Sequence, residues 1–200
     1  MSQDARLVIV LAINLAMVVF LLLVGILAHS LGVLASGVDY LGDGLGAGLS
    51  LAALRMSRHQ HGHPRATSFA ALANASFLLV LTLAVVIEAV YRLSTGAPSI
   101  HGVPVVIVSV LAALAMISCA VILGDVGADL GMQSVMLDTL ADAAAALGVA
   151  ISGSVILLTN GTYWLDSLVA LLIALVIAYH AIKLLRRVLL DLRRRSVPVR

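Results

Sequence analysis

The sequence predicts an all-α integral membrane protein of six transmembrane helices, and three observations predict it. Hydrophobic residues make up 62% of the chain and charged residues 11%, with a mean hydropathy of +1.15, whereas soluble domains are about half apolar and a quarter charged. Apolar stretches of spanning length recur along the 200 residues, each span needing about 20 residues. Lys and Arg gather near the two chain ends and in the second-to-third connection, all on one side of the expected weave, which is the asymmetry of a chain threaded through a bilayer.

The spans are expected at residues 7–27, 31–54, 68–91, 103–123, 132–159 and 164–185. Turn chemistry separates them: His29-Ser30, residues 55–65 with Pro64, residues 94–104 with Pro98 and Pro104, residues 124–131, and Asn160-Gly161. Only two residues divide the first helix from the second, so the two form a tight hairpin. Six spans use up the chain and leave no room for a sizeable soluble domain.

Orientation follows from the basic residues. With the N-terminus in the cytoplasm, that side collects Arg6, Arg55, Arg58, Arg65, Lys183, Arg186, Arg187, Arg193, Arg194, Arg195 and Arg200, and the other side keeps Arg92. Both termini are therefore expected inside. The fourth-to-fifth connection adds no positive charge and carries Asp125 and Asp129, solvated acids that draw cations to the cytoplasmic mouth at most.

Several function classes drop out. The single Cys119 lies in an apolar run, so there is neither a disulfide framework nor a CxxC metal motif. The N-terminus has no small-residue cleavage site and reads as a retained first helix. The basic tail at 186–200 lacks interleaved aromatics, so it reads as a topology signal, and no nucleic-acid partner is expected. No nucleophile and base pair or cofactor motif appears, so the chain is not read as an enzyme and no prosthetic group is expected.

Five acids fall within the spans: Asp39, Asp43, Glu88, Asp138 and Asp142. A carboxylate at mid-membrane costs about 2.5–3.5 kcal/mol even on the lenient insertion scale, so each needs a partner, a proton or a water-filled cavity. Four of them form two Asp-x-x-x-Asp pairs, Asp39 with Asp43 and Asp138 with Asp142. The i, i+4 spacing stacks each pair on one helix face. Two such faces turned together would set four carboxylates around one point. Without a cation they cannot all be ionised, because like charges and burial both favour the protonated form. A divalent metal would displace those protons, since its ligands must be deprotonated. Proton-for-metal exchange follows from the arrangement. The competing structural account makes these aspartates packing residues bonded to Ser, Thr or backbone groups, a harder task for four mutually repelling acids.

Small residues flank both pairs. Gly37, Gly42, Gly44, Gly46 and Gly48 accompany the first, and Ala141, Ala143, Ala144, Ala145, Ala146 and Gly148 the second, which favours close helix approach, with Gly44 and Gly48 forming a GxxxG step.

The stretch from Ser30 to Asp43, SLGVLASGVDYLGD, resembles the second-helix signature of the cation diffusion facilitator family. Other segments fit in the same order. They are His63-Pro64-Arg65-Ala66 through Asn74, Glu88 to Leu93, Gln133 to Asp142, and Tyr163 to Ser167. The resemblance covers the whole membrane portion. It implies a cation-efflux-like bundle in the cell (inner) membrane, a tetrahedral transport site at Asp39, Asp43, Asp138 and Asp142, a homodimer, and efflux driven by inward proton flow. Three departures stand out. Zinc- and cadmium-carrying members commonly place His at the first position of the pairs, where Asp39 and Asp138 stand here. Ser36 and Thr67 occupy positions usually held by Asp and Glu. The family's soluble C-terminal domain is expected to be absent, since the chain ends soon after Asp191.

His59, His61 and His63 alternate in the second-to-third connection. They can converge on a metal as an auxiliary capture site, because neutral imidazole suits Zn, Co, Ni and Cu, or can simply be a solvated polar loop. His29, His101 and His180 read as interfacial rings. Glu88 with Arg92 reads as an intrahelical ion pair, and Trp164 with Asp166 as residues of the outer interface. The expected function is proton-coupled efflux of a divalent transition metal, Zn first, with Cd, Co, Fe and Mn also within reach of an all-oxygen site. The alternative is a membrane subunit that binds metal and assists another exporter without transporting.

Overall fold

The structure is a computed structural model that describes residues 3–58, 64–124 and 130–196, with side chains described over 8–45, 48, 71–122 and 139–190. Every regular element among them is a helix: α1 (Gln3–Leu27), α2 (Leu31–Arg58), α3 (Pro64–Thr95), α4 (Gly102–Gly124), α5 (Leu130–Thr159) and α6 (Trp164–Ser196). The six expected spans are all present. Most run a turn or so further than hydropathy alone draws them, because a helix satisfies its own backbone and does not stop where lipid does. The largest extension is α6, whose 33 residues make about 50 Å at 1.5 Å per residue, against a hydrocarbon core of about 30 Å. Residues 186–196, expected as a tail, continue this helix.

Five helices are long and apolar enough to span by composition, and among the described residues α2 is not one of them. Its acids and glycines lower its hydropathy. Position in the bundle compensates, since α2 packs against each of the other five helices and need not face lipid all round. The strongest pairings are α4 with α5, α3 with α6, and α1 with α2. The interior is built largely of small residues: Ala35, Ala89, Ala112, Ala146, Ala170 and Ala174 are fully buried. Large apolar side chains such as Leu27, Val80, Val121 and Leu158 point outward. That distribution suits a bilayer, where tight helix packing and not burial of oil from water holds the bundle together.

Close approach is most evident between α4 and α5. A Cβ on Gly153 would stand 2.8 Å from Val105 Cγ1 and 3.1 Å from Val106 Cγ2. On α2 close contacts come at Gly37 and Gly42, against Leu22 and Leu78, while Gly48 meets nothing within 4 Å among the described residues. Among the described residues the GxxxG step at Gly44 and Gly48 makes looser contacts than these.

The α1–α2 hairpin is made by His29. Its φ of 58° places it in the left-handed region at the helix end, the position usually filled by Gly. Ser30 N–H then donates to Gly25 O at 3.0 Å and His29 N–H to Ile26 O at 3.3 Å, the paired closure of a Schellman end. Asn160, with φ 49° and its N–H on Ile156 O at 2.9 Å, ends α5 by the simpler left-handed cap. The α1–α2, α3–α4 and α5–α6 connections meet at one end of the bundle. Arg92 Nη1 donates to His29 O at 2.8 Å, His101 N–H to Ala28 O at 3.2 Å, and Ser30 Oγ to Asp166 Oδ1 at 2.6 Å.

Candidate cation site

The helical spacing of Asp39 and Asp43 puts both on one face of α2, and that face turns toward α5 and α6. A cavity of about 230 Å³ lies there, lined by Asp39 and Asp43 of α2, Ala141, Asp142 and Ala145 of α5, and Leu172, Ile173, Val176 and His180 of α6. Asp142 is buried and the two α2 acids are half-buried. Three of the four aspartates expected to act together therefore line one partly open cavity between α2, α5 and α6. Asp138 sits one helical turn before Asp142 on α5, and its side chain lies outside the described set. Among the described residues no three His, Cys, Asp or Glu side chains close around a single point. A water needs only about 10–15 Å³ of such space, so the cavity has room for several waters, or for a cation with part of its hydration shell.

The α2 acids are held in place from the hairpin end. Asp166 is fully buried, and its Oδ2 accepts from Leu31 N–H at 2.7 Å while Oδ1 accepts from Gly32 N–H at 3.2 Å and from Ser30 Oγ. Ser30 Oγ in turn accepts from Val33 N–H at 3.2 Å. The first three N–H groups of α2, which no intrahelical carbonyl can reach, are all satisfied, and a carboxylate stands at the positive end of the helix dipole. Gly32 suits this contact, because a Cβ there would come 2.9 Å from Asp166 Oδ1 and push against it. Further along α2, Tyr40 next to Asp39 is buried and donates its hydroxyl to Ala112 O of α4 at 3.3 Å. The helix that carries Asp39 and Asp43 is thus fastened to α6 at its start and to α4 beside the acids.

The family described as the cation efflux transmembrane domain matches residues 7–193. The chain belongs to the cation efflux family. Among curated relatives it is similar to the zinc transporter ZitB of Yersinia pseudotuberculosis, 30% identical over 92% of this chain and 61% of that protein. It is also similar to the zinc transporters ZitB of Pectobacterium atrosepticum, 29% identical over 81% and 52%, and of Escherichia coli, 30% identical over 81% and 54%. The chain thus spans about three fifths or less of the length of these cation efflux relatives.

Set against the sequence expectations, the cation efflux bundle keeps some and corrects others. Glu88 and Arg92 do pair, Oε1 to Nε at 2.8 Å, and Arg92 also tethers the α1–α2 turn. Asp166, expected beside Trp164 at the outer end of the bundle, is fully buried there as the cap of α2, while Trp164, two residues earlier, is exposed. The sequence marked His29-Ser30 only as a turn, and nothing local in it named the distant acid that caps α2. His180 lines the acid cavity, which its place near the end of the sixth apolar run did not reveal. His59, His61 and His63 lie outside the described residues, as do Asp125 and Asp129.

Proposed function

We propose that this chain moves divalent transition-metal ions out of the cytoplasm in exchange for protons, and that Asp39, Asp43, Asp138 and Asp142 hold the ion. The carrying observation is the cavity that Asp39, Asp43 and Asp142 line from two helices. Acids in a membrane bundle have a use where a cation and protons alternate on them. Membership of the cation efflux family supports the direction of transport, and the name of the zinc transporters it resembles supports Zn as the cargo. The chain acts as a homodimer in the cell membrane with both termini cytoplasmic, on the basic-residue asymmetry and the family resemblance. Residues 1–185 form the transporting domain, and His59, His61 and His63 form an auxiliary capture site on the cytoplasmic side.

The test is transport by purified protein in proteoliposomes with no other protein present. Zn moving against an imposed proton gradient, with acidification or alkalinisation of opposite sense, is the expected result. Zn binding without movement would assign the chain to the helper role instead. Lower pH should weaken Zn binding, because protons and metal compete for the same carboxylates.

A further inference from the structure

The cavity has one wall that the aspartate pairs do not account for. From α6 it receives Ile173, Val176 and His180, residues spaced i, i+3 and i+7 and so on one stripe of the helix. His180 is the single titratable side chain on that stripe. The neighbouring Tyr179 takes the interfacial role expected of an aromatic near a helix end. It is exposed, with Lys183 Nζ 5.8 Å from its ring centroid. Its ring stands 5.7 Å from that of His180, which is exposed as well but lines the cavity together with the acids.

Depth adds to this. Measured from the hairpin end at 1.5 Å per residue, Asp39 and Asp43 lie about 12 and 18 Å along α2, Asp142 about 26 Å along α5 and His180 about 24 Å along α6. His180 therefore stands level with Asp142, on the side of the cavity toward the termini. A cation arriving from that side meets Asp142 and His180 before it meets the α2 pair.

We propose that His180 supplies a nitrogen ligand to the cation at this mouth, beside Asp142, and biases the cavity toward borderline metals such as Zn over hard ones such as Mn. This rests on the reading of the cavity as the transport site. Carboxylates alone are hard donors with little preference along the first-row series, whereas one imidazole favours Zn, Co, Ni and Cu over Mn. The selectivity element would then come from α6 and not from the helices that carry the acids.

The experiment uses the full chain in detergent with His59, His61 and His63 replaced by Ser, so that loop imidazoles do not contribute. Zn and Mn affinities are measured by calorimetry, and nitrogen coordination by the ¹⁴N modulation of bound Cu²⁺ in pulsed electron paramagnetic resonance. His180→Gln should weaken Zn binding about tenfold, leave Mn within about threefold, and remove one imidazole's share of the ¹⁴N signal. An unchanged Zn-to-Mn ratio, or an undiminished ¹⁴N signal, overturns the proposal. His180→Ala is run beside it, and the expected losses must appear in whichever variant remains monodisperse. Asp43→Ala separates the two readings. If it loses Zn binding while His180→Gln does not, the cavity is the metal site and His180 has no part in it. If Asp43→Ala binds Zn like its parent, the cavity reading itself fails and this inference with it.

Discussion

Among the described residues two places in this bundle hold aspartate between helices, and they do so in different ways. At the hairpin end, Asp166 accepts two backbone N–H groups and a hydroxyl, all within 3.2 Å, at the positive end of a helix dipole. Ten ångströms or more further along α2, by helical rise, Asp39 and Asp43 with Asp142 line a cavity large enough for water or an ion. The first carboxylate is surrounded by fixed donors and serves to hold two helices together. The others line a cavity, whatever partners they also have. Burial of an acid in a membrane protein is therefore not in itself a sign of transport chemistry: what marks the second case is a cavity beside the carboxylates, with room for an ion.

The comparison predicts opposite phenotypes. Asp43→Ala or Asp142→Ala should abolish transport and leave the protein inserted and folded, because removing a mid-membrane acid lowers the insertion cost. Proteoliposome flux and thermal unfolding in detergent measure the two halves of this claim, and retained flux in either variant would sink the site assignment.

Asp166→Ala should do the reverse, and harm the fold first. It leaves three buried donors without an acceptor, at about 1–3 kcal/mol each, so a marked fall in unfolding temperature or a loss of monodisperse protein is expected. Asp166→Asn keeps part of the acceptor capacity and should fall between. Gly32→Ala should mimic it more mildly, at about 1–3 kcal/mol, by pushing against Asp166 Oδ1. An Asp166→Ala protein as stable as the parent would break the distinction drawn here.

A change outside both regions should show neither signature. Replacing His59, His61 and His63 together with Ser is expected to raise the apparent KM for metal without abolishing turnover, since a capture site supplies encounter and not the transport coordination. A dead triple variant would reverse that hierarchy. The smallest expected effect is on selectivity: Asp39→His with Asp138→His should narrow the metal range toward Zn and Cd and shift the pH dependence of binding toward neutral, as imidazoles take over part of the proton exchange. Competitive uptake of Zn, Cd, Co, Fe and Mn by inverted vesicles is the comparison. If the parent already excludes Mn, Fe and Co as sharply, ligand hardness is not what the α2 and α5 positions control.

The number of helices, their order and the pairs Asp39 with Asp43 and Asp138 with Asp142 were legible in the sequence, because each depends on local rules: span length, turn chemistry, and the 3.6-residue period that stacks i and i+4. The Glu88 and Arg92 pair was legible for the same reason. Helix identity even survived where composition was weakest, in α2, whose acids and glycines lower its hydropathy but not its helical continuity. What the sequence could not give was partnership across distance. Nothing local says that Asp166 caps a helix beginning 135 residues earlier, that among the described residues Gly37 and Gly42 make closer contacts on α2 than Gly44 and Gly48, or that His180 shares a cavity with Asp142. Those facts are set by which faces the six helices turn to one another, and a face is chosen by the packing of the whole bundle. An apolar residue looks the same to a neighbouring helix as to lipid, so hydropathy carries almost no information about rotation in a membrane, and only the assembled tertiary structure supplies it.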